Sequence, residues 1–132
     1  MKLEGIKFRV WDKRKKVMYT DVSFGDFDVW YFIEGGRDID EDFEVMLYTT
    51  RKDKNGKDIY EGDIIKVELE DGYLIGIVYW DKVGFNTEVM INETNINIEY
   101  WDDINLLRFY LNELKVIGDV YQNPELPGEI NE

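Results

Sequence analysis

The amino-acid sequence predicts a mainly β fold, and three observations carry that prediction. Short runs alternate apolar and charged residues, as in Ile6 to Trp11, which is how a half-buried strand presents one face to a core. Turn residues punctuate the runs: Asp53-Lys54-Asn55-Gly56, Glu61-Gly62-Asp63 and Asp71-Gly72. Only Ile104, Leu107, Leu111 and Leu114, after Asp102-Asp103, have helical spacing. Many short strands and one short helix near residues 103–112 make a β-rich fold with coiled sheets. A chain of 132 residues suits a single domain over 1–132 with one core.

Taken in order, Ile6, Phe8 and Val10 share one strand face, with Lys7 and Arg9 on the other. Asp12 to Lys16 is the turn and Val17-Met18-Tyr19 begins the return strand. Phe27 to Ile33 is an apolar run closed by Gly35-Gly36 and an acidic loop, and Phe43 to Thr49 is the next strand. In the central loop Asn55 and Gly56 tolerate positive φ, and the Asp53 side chain can bond its own backbone two residues on. Ile59 and Tyr60 are apolar enough to pin that loop to a core. Asp71-Gly72 suits a two-residue type I′ hairpin. That turn would set Leu69 against Leu74, Val67 against Gly76 and Ile65 against Val78 on the core side. Gly76 then marks a bend or a close backbone approach. Thr87 to Asn92, Ile96 to Trp101 and Lys115 to Tyr121 read as further strands. Asn123-Pro124 ends the last of them, and Leu126 onward reads as a frayed tail. Trp11, Trp30, Trp80 and Trp101 lie in or at the ends of these strands and are expected in the core, whereas Tyr31, Tyr79 and Tyr100 could face a partner.

Composition excludes most catalytic chemistry. There is no His and no Cys, so Ser-His-Asp and Cys-His sites, disulfides and Cys/His zinc sites are ruled out. Asp53, Asn55, Asp58, Glu61 and Asp63 crowd one segment and invite a hard-cation reading. Aligning Gly56 with the invariant glycine of an EF-hand places Arg51 at the first ligand position and Gly62 at the last, which fails. With 29 acidic residues, chance carboxylate pairs are frequent, so a general acid–base pair is not favoured. No catalytic residue, metal or cofactor is assigned. The net charge of −13 repels nucleic acid and anionic membrane. The one local exception is Lys13, Arg14, Lys15 and Lys16, which on a hairpin tip could touch phosphate. No apolar run is long enough to span a membrane, the N-terminus lacks an apolar signal core, and the absence of Cys fits a reducing cytoplasm.

Three segments together resemble the YopX family of phage and prophage proteins. They are Phe8-Arg9-Val10-Trp11-Asp12, the central run Tyr48-Thr49 to Ile64, and Val116 to Leu126. The matching positions include Trp11, Asp12, Asp53, Asn55, Gly56, Tyr60, Glu61, Gly62, Asp63, Gly118, Asn123 and Pro124. The resemblance implies bifurcated, coiled sheets folded into a pseudo-barrel and a phage or prophage origin, and implies no known activity. In one departure, Thr50 stands where the family usually has Gly. If that position needs positive φ, Thr50 is strained. The motif residues are expected to be structural. The expected function is that of a non-enzymatic accessory protein contacting a host or phage protein, with self-assembly as one further use of its surface. A small-barrel nucleic-acid binder using Lys13 to Lys16 is the alternative.

Overall fold

The computed structural model describes residues 7–23, 42–81, 84–94 and 113–126. Within these, eight strands are seen: β1 Lys7–Asp12, β2 Val17–Ser23, β3 Phe43–Lys52, β4 Asp58–Tyr60, β5 Asp63–Leu69, β6 Gly72–Asp81, β7 Gly84–Glu93 and β8 Leu114–Asp119. They form two four-stranded sheets, ordered β2-β1-β3-β4 and β7-β6-β5-β8. The expected mainly β class is observed. The expected helix near 103–112 and the runs Phe27 to Ile33 and Ile96 to Trp101 lie outside the described residues.

The chain divides into two compact units, Met1–Tyr48 and Thr49–Glu132. In the first, β1 pairs antiparallel with β2 and with β3. Val10, Trp11, Phe43 and Met46 are buried there. The half-buried reading of β1 needs correction at Arg9, which is also buried. Arg9 lies opposite Met46 across the β1–β3 ladder, and its guanidinium Nη2 lies 3.4 Å from the Met46 sulfur. A polarisable thioether and a long arginine stem fill that face together.

In the second unit, period-two alternation in β5 and β6 drives apolar side chains to both faces of the sheet. Ile65, Val67, Leu74 and Val78 form one cluster with Ile59 and Leu114. Ile64, Ile75 and Ile91 form another, with Tyr73, Ile77, Ile117, Val120 and Leu126 packed against it. Each fully buried aliphatic side chain contributes about 1.5–3 kcal/mol. Leu126 is therefore a packed residue, not the start of a loose tail.

The β5–β6 hairpin has the predicted core face but a different register. Leu69 pairs with Gly72, Val67 with Leu74 and Ile65 with Gly76. Glu70 and Asp71 make the turn, and neither has positive φ, so the type I′ turn is not used. The shift is an even number of residues, so every side chain keeps its face. Gly72 explains the change. Its φ is +148°, and a Cβ there would lie 1.5 Å from the backbone oxygen of Glu93 in β7. This glycine serves a close strand approach, not the turn. Gly76 behaves as expected, with a register break in the β6–β7 ladder between Ile75 and Gly76. Trp80 corrects another expectation, because it is 54% exposed while Trp11 is buried.

Replacing Gly72 with Ala should destabilise the protein by about 3 kcal/mol or more, since it combines forbidden backbone with a main-chain clash. Denaturant unfolding measures this, and a loss well under about 1 kcal/mol would refute the close approach.

Candidate functional site

The motif residues gather into turns that are organised by buried aspartates. Asp53 is the first of them. Its Oδ1 accepts the N–H groups of Asn55 and Lys57, each at 2.9 Å. Its Oδ2 accepts the N–H of Val116 at 2.9 Å, from 63 residues away in sequence. The backbone repeats the loop closure, with Asp53 N–H donating to Lys57 C=O and Gly56 N–H to Asp53 C=O. Gly56 takes φ +82°, as the Asn-Gly pair predicted. Lys54 N–H donates to the Leu114 carbonyl at 2.9 Å. Asp53 and Lys54 thus engage Leu114 and Val116 of β8, the last strand of its sheet, and occupy backbone groups that an edge strand otherwise presents to other chains.

Burial pushes the Asp53 carboxyl up, but the N–H donors of Val116, Lys57 and Asn55 together, helped by the charge of Lys57, hold it below its usual value. A depressed folded pKa contributes stability that is fully present above the unfolded value, about 3.9, and is lost as pH falls through the folded value.

Asp63 has the same role at the next turn. It is 1% exposed, and its Oδ2 accepts the Tyr60 N–H at 2.7 Å. Gly62 between them takes φ +87°. Its N–H donates to Val78 C=O and its C=O accepts Val120 N–H, so the Glu61-Gly62 turn is tied to β6 and to the end of β8. Tyr60 and Ile59 are buried, as the sequence predicted. Asp12, also 1% exposed, accepts the N–H groups of Arg14 and Lys15 through Oδ1 at 3.0 Å.

Two contributors were not singled out from sequence. Asp119 is 4% exposed. It takes the N–H groups of Tyr121 and Gln122 on Oδ1 and the Gln122 amide on Oδ2. Asn123 Oδ1 accepts the Asp119 N–H at 3.2 Å, and a Cβ on Gly118 would stand 2.7 Å from that oxygen. An Asp at the end of a strand is the signal that could have found Asp119. Pro124 follows Asn123 on the exposed side of this turn. Thr49 is the second. Its buried hydroxyl donates to the Ile59 carbonyl at 2.7 Å and accepts the Arg51 N–H at 3.2 Å.

Thr50 takes φ +69°, the positive φ that its glycine-like position foreshadowed. A β-branched residue there is a backbone outlier. The cation reading of the loop gains nothing: Asp58 pairs with Lys52 at 2.7 Å, and no three His, Cys, Asp or Glu among the described residues converge as a metal site would require. At the β1–β2 tip, Lys13 pairs with Glu44 and Arg14 with Asp42, each at 2.9 Å, so half of the basic run faces acids. Tyr79 is exposed, as anticipated, while Tyr31 and Tyr100 lie outside the described residues.

Replacing Asp53 with Asn should cost about 2–3 kcal/mol, because the amide can face donors with only one of its two ends. Unfolding followed against pH should show the wild type losing stability below about pH 4 and the variant lacking that component. An equally stable variant would contradict the assignment. Replacing Thr50 with Gly should raise stability by about 1 kcal/mol, read by the same unfolding experiment, and a loss would show the strain to be absent.

The family described as YopX protein matches residues 7–126. Among solved structures, protein EF1440 from Enterococcus faecalis is similar with a TM-score of 0.58 and 19% identity, over 92% of this chain and 97% of that one. YopX from Bacillus subtilis is similar with a TM-score of 0.44 and 19% identity, over 91% and 96%. No curated protein matches.

Proposed function

This chain belongs to the YopX protein family, and from that premise we propose a phage- or prophage-encoded accessory protein of the bacterial cytoplasm that works without catalysis, through protein–protein contacts. The observation behind this reading is the exposure of large apolar side chains on the β6–β7 ribbon. Trp80 is 54% exposed, and Tyr79 and Met90 are exposed as well. A large aromatic left in water has no value to the core, and Trp, Tyr and Met are the residue types enriched where proteins meet.

The motif carboxylates support the non-catalytic part. Asp12, Asp53, Asp63 and Asp119 are buried and accept N–H groups of their own turns. Their chemistry is directed at the backbone. The net charge of −13 suits a partner with a basic face and speeds encounter with it. A second copy of the chain is a less favoured partner, because like net charges repel. No helix among the described residues is long and apolar enough to cross a membrane, and the absence of Cys fits a reducing compartment. The nucleic-acid reading of Lys13 to Lys16 has less behind it, given the acids that face Lys13 and Arg14.

The test compares wild type with Trp80→Ser in capture from a bacterial lysate at moderate salt. One protein should be held by the wild type and its affinity should fall about tenfold or more in a variant of unchanged melting temperature. Equal capture by both, or turnover of any substrate by the pure protein, would overturn the proposal.

A further inference from the structure

Lys66 in β5 pairs directly with Lys115 in β8. Like charges placed directly opposite in a sheet are destabilising unless something negative sits between them. Glu68 does: its Oε1 lies 3.3 Å from Lys66 Nζ and 3.7 Å from Lys115 Nζ. One carboxylate oxygen is thus flanked by two ammonium groups. The hydrogen bond from Lys66, then the charges of Lys115 and Lys66, hold the Glu68 carboxyl below its usual value. This pairing of two cations with one carboxylate stands out on a chain whose net charge is −13.

The lysines are also the better-held partners. Lys66 and Lys115 have side chains 26% and 35% exposed, against 53% for Glu68. Lys66 Nζ sits 4.9 Å from the centre of the Tyr73 ring, a favourable cation–π contact that fixes its head. The stems lie along the sheet while the heads reach water. Glu68 can turn away into solvent without exposing any core.

We propose that Lys66 and Lys115 form an oxyanion site on the Tyr73 side of the second sheet, which takes the phosphate group of a phosphate ester in place of the Glu68 carboxylate. Glu68 is the resident anion that keeps the lysines together when the site is free. A phosphate carries more charge than a carboxylate and offers more acceptor oxygens, so it satisfies more ammonium groups at once. This site includes neither Trp80 nor any of Lys13 to Lys16.

The experiment follows the lysine side-chain NMR signals of the full chain during titration with inorganic phosphate and, separately, with oligothymidylate. Saturable shifts should be confined to Lys66 and Lys115. They should vanish in the Lys66→Gln/Lys115→Gln variant. Glu68→Gln, at an exposed position, should bind about tenfold more tightly, because the competing charge is gone. Tighter binding of the oligonucleotide per phosphate identifies a nucleic-acid strand as the source, and equal binding identifies a small phosphate ester. No shift at these lysines in either wild type or Glu68→Gln would overturn the proposal. So would equal shifts at Lys13 to Lys16, which would mean only general attraction to lysine.

Discussion

The carboxylate of Asp53 is the contact on which the second unit depends. One oxygen shapes the loop through Asn55 and Lys57, and the other reaches Val116 in β8. A charged acceptor is well suited to this, because it takes several N–H donors at once and binds each more strongly than a neutral oxygen. The loop must be wound correctly for the second oxygen to arrive, so local turn chemistry and long-range strand docking are one event. Lys54 completes the clasp through its own N–H. The polar run Asp53 to Gly56 is therefore an element of the sheet, set across the backbone of its terminal strand.

The same device recurs at Asp12, Asp63 and Asp119. Buried carboxylates are costly unless donors surround them. Here the donors are main-chain groups that a tight turn would otherwise leave unsatisfied. A chain without disulfides thereby fixes its corners with short hydrogen bonds. Part of its acidity is structural for this reason. Thr50 shows the opposite tendency. Its neighbour Thr49 supplies a hydroxyl that bonds both Ile59 and Arg51, and this well-anchored backbone holds Thr50 at positive φ.

Much of this was legible in the sequence, and the reasons are physical. Asp-Lys-Asn-Gly reports its turn because the interactions are local, two to four residues apart. Ile59 and Tyr60 report burial by hydrophobicity alone. Thr50 is legible only beside the family pattern, since nothing in the residue itself demands positive φ. Other features depend on partners distant in sequence. The Asp53–Val116 bond cannot be foreseen from either segment. The β5–β6 register departs from the sequence expectation because Gly72 reads as turn chemistry, whereas the nearness of Glu93 in β7 determines it. Trp80 was misplaced because a strand end and an aromatic side chain suggest a core, and exposure is decided by what the neighbouring strands leave uncovered. Arg9 was assigned to solvent by its charge, although the thioether of Met46 faces it across the ladder.

The claim that the motif is architectural is tested most directly by amide hydrogen exchange at Val116 and Lys54, in wild type and in Asp53→Asn. Both amides are donors in the clasp. If the carboxylate holds β8 to the loop, both should be protected in the wild type. In the variant both should exchange much faster, while amides in the β5–β6 ladder keep their protection under conditions where the protein stays folded. Unchanged protection at Val116 and Lys54 would contradict the account and return the acidic loop to consideration as a ligand site.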